Sequence, residues 1–363
     1  MPHEDINKDV CTFILYLFKC MKISVATKIT IFSFAALCIS ATHIFSYKPS
    51  PVSFTSPKGW PAPAYNFSGN PLTKEGIALG KKLFYDPALS SDNSVSCATC
   101  HEPSAAFTTY DHPLSHGVNN LTTRNAPSLF NLAWQKELMY DGRAASLEEQ
   151  ALLPMHSTDE MDTNIPALLK HVNTNPSYKK MFTAAFGPSK INMDQITRAL
   201  SQFQLSLVSS NSKYDKVMRG EASFILPEKL GYEIFETKCV SCHTPPLFSN
   251  YSYQNTAITR DPILKDNGRA RFTGNSADSL KFKVPSLRNV ALTFPYGHDG
   301  RYYSILDVLS HYRTSGQIPL SNYEIGQLTA FLNTLTDSSA LTNPAFLPGQ
   351  AVINNKMANH AHQ

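Results

Sequence analysis

The chain is predicted to be all-α, built from two similar halves joined by long, proline-rich loops. Three observations carry this. A Cys-x-x-Cys-His motif occurs twice, as Cys97 to His101 and Cys239 to His243, roughly 140 residues apart. Apolar residues around and beyond each motif recur at helical spacing. No segment shows the sustained apolar–polar alternation of a half-buried strand.

A Cys-x-x-Cys pair alone fits a zinc site or a redox dithiol. A histidine directly after it, twice in one chain, is the attachment signature of a c-type haem. The thiols bond the haem vinyl groups and the imidazole is delivered to the iron as an axial ligand. Cys97, Cys100 and His101 therefore mark one site, Cys239, Cys242 and His243 a second, and two covalently bound haem c groups are expected.

The other three of the seven cysteines, Cys11, Cys20 and Cys38, fall in the first 41 residues. That region reads as a leader, with Met21, Lys22 and Lys28 before the apolar run from Ile29 and small residues at Ser40 and Ala41. Residues 1–41 are expected to be a signal peptide, or an uncleaved anchor, which fits an exported, periplasmic protein. Residues 42–70 are rich in Pro, Ser and Gly and read as an extended lead-in. A formal net charge of +4 gives no strongly basic balance, so nucleic acid is not an expected partner.

The first haem domain is expected over 71–215. It opens with a helix bearing Leu72, Ile77, Leu79, Leu83 and Phe84, closed by Asp86 and Pro87. A second helix carries Ile196, Leu200, Phe203 and Leu207. The second domain, 216–340, repeats this order: Leu230, Ile234 and Phe235 lead into the second motif. Ile325, Leu328, Phe331, Leu332 and Leu335 follow at helical spacing. Gly80 to Phe84 answers Gly231 to Phe235, and Phe107 answers Phe248, as in two related domains facing each other. The tail, 341–363, with His360 and His362, reads as an arm.

Two further segments decide between an electron carrier and an enzyme. They run from Arg124 to Met161 and from Lys283 to Gly300, the latter with Pro295-Tyr-Gly-His-Asp-Gly300. With the two haem motifs they closely resemble the bacterial dihaem cytochrome c peroxidase and MauG family, over about residues 71–337. The resemblance implies that hydrogen peroxide reacts at the first haem. Glu160 matches the distal acid–base carboxylate, Gln150 the distal glutamine and Pro154 a pocket-lining proline. Splitting a peroxide requires a proton moved from one oxygen to the other, which a desolvated carboxylate can do. Tyr140 stands where the family has a tryptophan between the haems, and as a relay it would need a proton acceptor. Trp134 reads as packing.

The axial ligand of the second haem matters most. Peroxidase members usually place a methionine fourteen residues after the histidine of the Pro-Tyr-x-His-Asp-Gly motif. Here that position is Tyr312, as in MauG-type members, with His311 a competing ligand. Tyr312 shares a helical face with Ile305, Val308 and Leu309. A phenolate favours oxidised iron, whereas a thioether favours reduced iron. The expectation is therefore a MauG-like relay of oxidising equivalents to a protein substrate. The rivals are a conventional peroxidase drawing on a small cytochrome or copper protein, and a simple electron carrier.

His116 or His112 stands where peroxidases carry a histidine that caps the first haem, and an open site is favoured. The resemblance also implies a calcium ion held by the Asn125 side chain and the carbonyls of Thr293 and Pro295, an oxygen set that suits Ca²⁺. Arg288 matches a partner of a haem propionate. A homodimer is a further expectation of the peroxidase branch.

Overall fold

A computed structural model of the chain describes residues 47–349 apart from Asp111. The expected leader and the histidines His360 and His362 lie outside the described residues. Twelve α-helices are described. The first half holds α1 (Lys74–Phe84), α2 (Cys97–Cys100), α3 (Leu147–His156), α4 (Ile165–Thr174), α5 (Pro176–Phe186) and α6 (Met193–Ser206). The second holds α7 (Lys213–Met218), α8 (Leu226–Lys238), α9 (Ala270–Thr273), α10 (Ile305–Thr314), α11 (Asn322–Asn333) and α12 (Ser338–Leu341). Two strands, β1 (Tyr253–Gln254) and β2 (Phe282–Lys283), form one antiparallel ladder. The all-α expectation holds.

Local chemistry sets the helix ends. Thr73 caps α1 by accepting from the Gly76 N–H. Asn192 with Gln195 and Ser321 with Glu324 form reciprocal capping boxes at α6 and α11, which satisfy otherwise orphaned amides. α6 stops at Ser206, one residue short of Leu207, which is nonetheless fully buried.

The two halves repeat one packing device. A Cβ on Gly80 of α1 would lie 1.8 Å from the Ala199 carbonyl oxygen and 2.9 Å from Phe203 Cβ on α6. A Cβ on Gly231 of α8 would lie 2.0 Å from the Gln327 carbonyl oxygen and 2.8 Å from Phe331 Cβ on α11. Each glycine thus lets two helices meet at backbone distance. Beside each contact sits a trio of aromatic rings. Phe84 meets Phe203 and Phe107 at 5.2 and 6.0 Å; Phe235 meets Phe331 and Phe248 at 5.1 and 5.6 Å.

The repeat extends to a pair not singled out above, Pro127-Ser-Leu-Phe-Asn131 and Pro285-Ser-Leu-Arg-Asn289. Ser128 Oγ donates to the Ala106 carbonyl at 2.7 Å and Ser286 Oγ to the Leu247 carbonyl at 2.6 Å. Asn131 and Asn289 both take left-handed φ, 62° and 60°. Their amides bond Leu207 O (2.9 Å) and Leu335 O (3.0 Å), just past the ends of α6 and α11.

Two buried apolar clusters follow, one from Leu72 to Leu207 and one from Tyr214 to Leu335. The first also takes in Ala340 and Phe346. The arm expected over 341–363 is therefore corrected for its first residues: Phe346 is 7% exposed, and its carbonyl accepts from Tyr85 Oη at 2.7 Å. The lead-in likewise docks, with Ala64 N bonded to Ala133 O at 2.8 Å. Trp134 is packing, as expected: it is buried, touches Trp60 edge-on and donates to Pro61 O.

Candidate haem sites and the cavity between them

The two motifs adopt one local geometry. His101 N–H donates to Cys97 O and His243 N–H to Cys239 O, each at 2.9 Å. His101 Nδ1 meets the Phe107 carbonyl at 2.9 Å, and His243 Nδ1 the Phe248 carbonyl at 3.1 Å. A carbonyl only accepts, so Nδ1 carries the proton and Nε2 keeps its lone pair for a metal. Burial lowers the pKa of both imidazoles, which keeps them neutral. Phe107 and Phe248 present these carbonyls from left-handed φ, 60° and 53°.

Above the first motif lies a cavity of about 250 Å³. Cys97, Cys100 and His101 line it, and so do Tyr140, Gln150, Pro154 and Glu160. The expected site residues of the first haem therefore share one space. Leu147, Gln150, Ala151 and Pro154 recur at i, i+3, i+4 and i+7 on α3, so one helix face forms a wall. Gln150 Nε2 contacts Met139 Sδ at 3.7 Å, which orients the amide. Glu160 follows the turn after α3, where its carbonyl accepts from Val118 N. Gly117 makes that approach possible: a Cβ there would lie 1.9 Å from Asp159 O. Burial raises the Glu160 pKa, while the Arg143 guanidinium, also in the cavity wall, opposes the rise. Burial likewise raises the Tyr140 pKa, with Arg124 opposing and Asp299 reinforcing.

The second half completes this cavity. Tyr251, Arg271, Lys283 and Ser286 all line it, and none was expected there, because their placement depends on long-range packing. Two buried polar atoms in the wall, Tyr251 Oη and Gln204 Oε1, have no hydrogen-bond partner among the described residues. Paired free thiols, an imidazole with its Nε2 available and orphaned polar atoms in the same wall fit a large planar group with a polar edge.

Near the second motif, α10 carries Tyr312 within the electrostatic reach of both cysteines. Burial pushes its pKa up to about 12, and both Cys239 and Cys242 add to the rise. His311 Nε2 is taken up by the Thr256 carbonyl at 2.7 Å. Leu309 is buried and Ile305 packs on the second core, so this face of α10 turns inward.

His116 is exposed, its ring 5.7 Å from that of His112, and neither lines the first cavity. Arg288 does not offer its fork to a haem edge. Its Nη atoms bind both Asp215 oxygens at 2.8 and 2.9 Å, and Nε donates to Pro246 O. Burial alone would raise the Asp215 pKa, but the Arg288 hydrogen bonds outweigh it and hold the carboxyl low. The chain itself thus supplies the carboxylate. Asn125 Nδ2 donates to Pro113 O at 3.0 Å.

Comparison with known proteins agrees with this geometry. Residues 74–223 match the family model described as di-haem cytochrome c peroxidase. The methylamine utilization protein MauG of Methylophilus methylotrophus is 34% identical, covering 85% of this chain and 94% of that protein. The chain belongs to the dihaem cytochrome c peroxidase and MauG family. Cytochrome c551 peroxidase of Nitrosomonas europaea, another relative, is 36% identical over 73% of this chain and 81% of its own length. The crystal structure of a MauG-like protein associated with microbial copper homeostasis superposes with a TM-score of 0.75 at 30% identity, covering 82% of this chain and 99% of that one. As a family member the protein is a dihaem peroxidase-like oxidoreductase carrying haem c, with hydrogen peroxide as substrate. Among the described residues no helix is long and apolar enough to cross a membrane.

Proposed function

We propose that this member works in the MauG manner, reducing hydrogen peroxide at the first site and passing oxidising equivalents through the second to a protein substrate. Haem bound at Cys97, Cys100 and His101 supplies the redox chemistry. The chain supplies the proton handling. Glu160 is the acid–base group: its burial keeps the carboxyl able to take a proton from one peroxide oxygen and return it to the other. Gln150, steadied by Met139, orients the peroxide, and Pro154 narrows the space around it. Tyr140 is the relay residue, and Asp299 is the carboxylate whose field it feels. The exposure of His116 supports a first site open to peroxide without prior reduction.

One observation carries the MauG reading: Tyr312 lies on the inward face of α10 and feels both Cys239 and Cys242, while His311 Nε2 is taken up by the Thr256 carbonyl. His243 and Tyr312 would hold the second iron, and an anionic oxygen donor favours the oxidised metal. A site so ligated is poorly suited to store electrons from a small cytochrome or copper protein. Likeness to the Nitrosomonas cytochrome c551 peroxidase favours that second reading, peroxide detoxification by an electron donor. Tyr312→Phe separates them. It should change the absorption and resonance Raman bands of the second haem, whereas an unaltered second-haem spectrum would assign the ligand elsewhere. Two haem domains, over 71–215 and 216–340, and a periplasmic location after loss of 1–41 belong to the same proposal. So does calcium held by the Asn125 side chain with Thr293 and Pro295 carbonyls; the Pro113 contact orients that amide.

A further inference from the structure

Tyr251 belongs to the second motif by backbone and to the first by side chain. Asn250 N–H donates to Cys242 O at 2.8 Å and its Nδ2 to Ser241 O at 2.9 Å. Ser249 Oγ donates to Val284 O and accepts from Tyr251 N–H. These bonds fix the segment to the second haem motif. Tyr251 then takes φ 54°, a conformation few non-glycine residues adopt. The ring thereby leaves its own half, packs on the first apolar core and lines the cavity over Cys97 and Cys100.

Its hydroxyl is buried without a partner among the described residues, a costly state unless something in the cavity accepts its proton. Lys283 lines the same cavity. Its ammonium donates to Gln135 Oε1 at 2.6 Å and Glu137 O at 2.7 Å, both neutral acceptors. A third N–H is left over. A hydroxyl seeking an acceptor and a cation with a spare proton together suit a carboxylate. Haem c carries two propionate carboxylates on the edge away from its thioether bonds.

We propose that Tyr251 and Lys283, both from the second half, hold a propionate of the haem attached at Cys97 and Cys100. The inference rests on the haem reading of that motif and is independent of Tyr312 or a protein substrate. Neutralising a propionate makes the reduced haem easier to form. The grip also ties the first haem to the Cys242 backbone through Asn250.

The test is spectroelectrochemical titration of the holoprotein, wild type against Tyr251→Phe and Lys283→Gln, with haem content measured on each. The expected result is two haems per chain throughout, and a first-haem midpoint shifted to more negative potential in each variant. The second-haem midpoint stays in place. An unmoved first-haem midpoint in both variants overturns the proposal, and so does a shift confined to the second haem. A wild-type chain with no haem on Cys97 and Cys100 overturns both the proposal and the reading beneath it.

Discussion

At Cys97–His101 and at Cys239–His243 the backbone repeats the same bonds in the same order, yet the two sites are finished differently. Each half pairs a glycine helix with a phenylalanine helix, aims a Phe carbonyl at the histidine Nδ1 and closes with Pro-Ser-Leu-x-Asn. The x differs: Phe130 joins the first core, whereas Arg288 forms a buried ion pair with Asp215. Gln150, Pro154 and the Glu160 carboxyl share a cavity with the first motif, whereas the second motif's cysteines act electrostatically on a tyrosine of α10. A shared frame delivers a ligand-ready imidazole twice. On the function proposed above, the residues added to it would make one site proton-active and the other a relay.

The largest expected effect tests that division. Glu160→Gln should lower peroxide turnover by on the order of 10²–10⁴-fold and leave the second-haem spectrum as it was. Wild-type-like turnover would remove Glu160 from the chemistry. In the wild type the carboxylate must be free to take a proton, and burial raises its pKa. Turnover should therefore fall as pH drops through a midpoint above the ordinary carboxylate range. Arg143→Leu, by deleting the opposing cation, should move that midpoint higher still in a steady-state pH profile.

Next is the ion pair that Arg288 makes where the first half places Phe130. Asp215→Asn leaves the Arg288 guanidinium buried without its anion and should cost about 3–5 kcal/mol in denaturant unfolding. The Asp215 pKa is held low in the fold, so the pair's contribution is full above the unfolded carboxylate pKa. It is lost as pH falls through the lower folded value. A loss under 1 kcal/mol, the scale of an exposed pair, would contradict this account.

The smallest effect tests the likeness of the halves. Gly80→Ala and Gly231→Ala should each destabilise by about 1–3 kcal/mol through overpacking, and by similar amounts. A penalty at one glycine alone would show that the helix pairs are not equivalent.

Much of this was legible in the sequence, for identifiable reasons. The haem motifs, the Gly80 and Gly231 helices and the Phe107 and Phe248 positions depend on short-range spacing. The inward face of α10 was legible because Ile305, Leu309 and Tyr312 recur at helical spacing. Lys283, Arg271 and Tyr251 were missed as cavity residues because the opposite half presents them, and no local pattern encodes that. The docking of Phe346 was missed because a lone aromatic among Pro and Asn shows no periodicity. Arg288 was read as a propionate partner because a sequence cannot show that Asp215 reaches it first.

The most direct measurement is electron paramagnetic resonance of the ferric protein, before and after stoichiometric hydrogen peroxide. The account predicts a high-spin signal from the open first haem and a low-spin signal from the second, both lost on adding peroxide without prior reduction. Two low-spin signals, unresponsive until one haem is reduced, would contradict it, making the first site capped and the protein a reductively activated peroxidase.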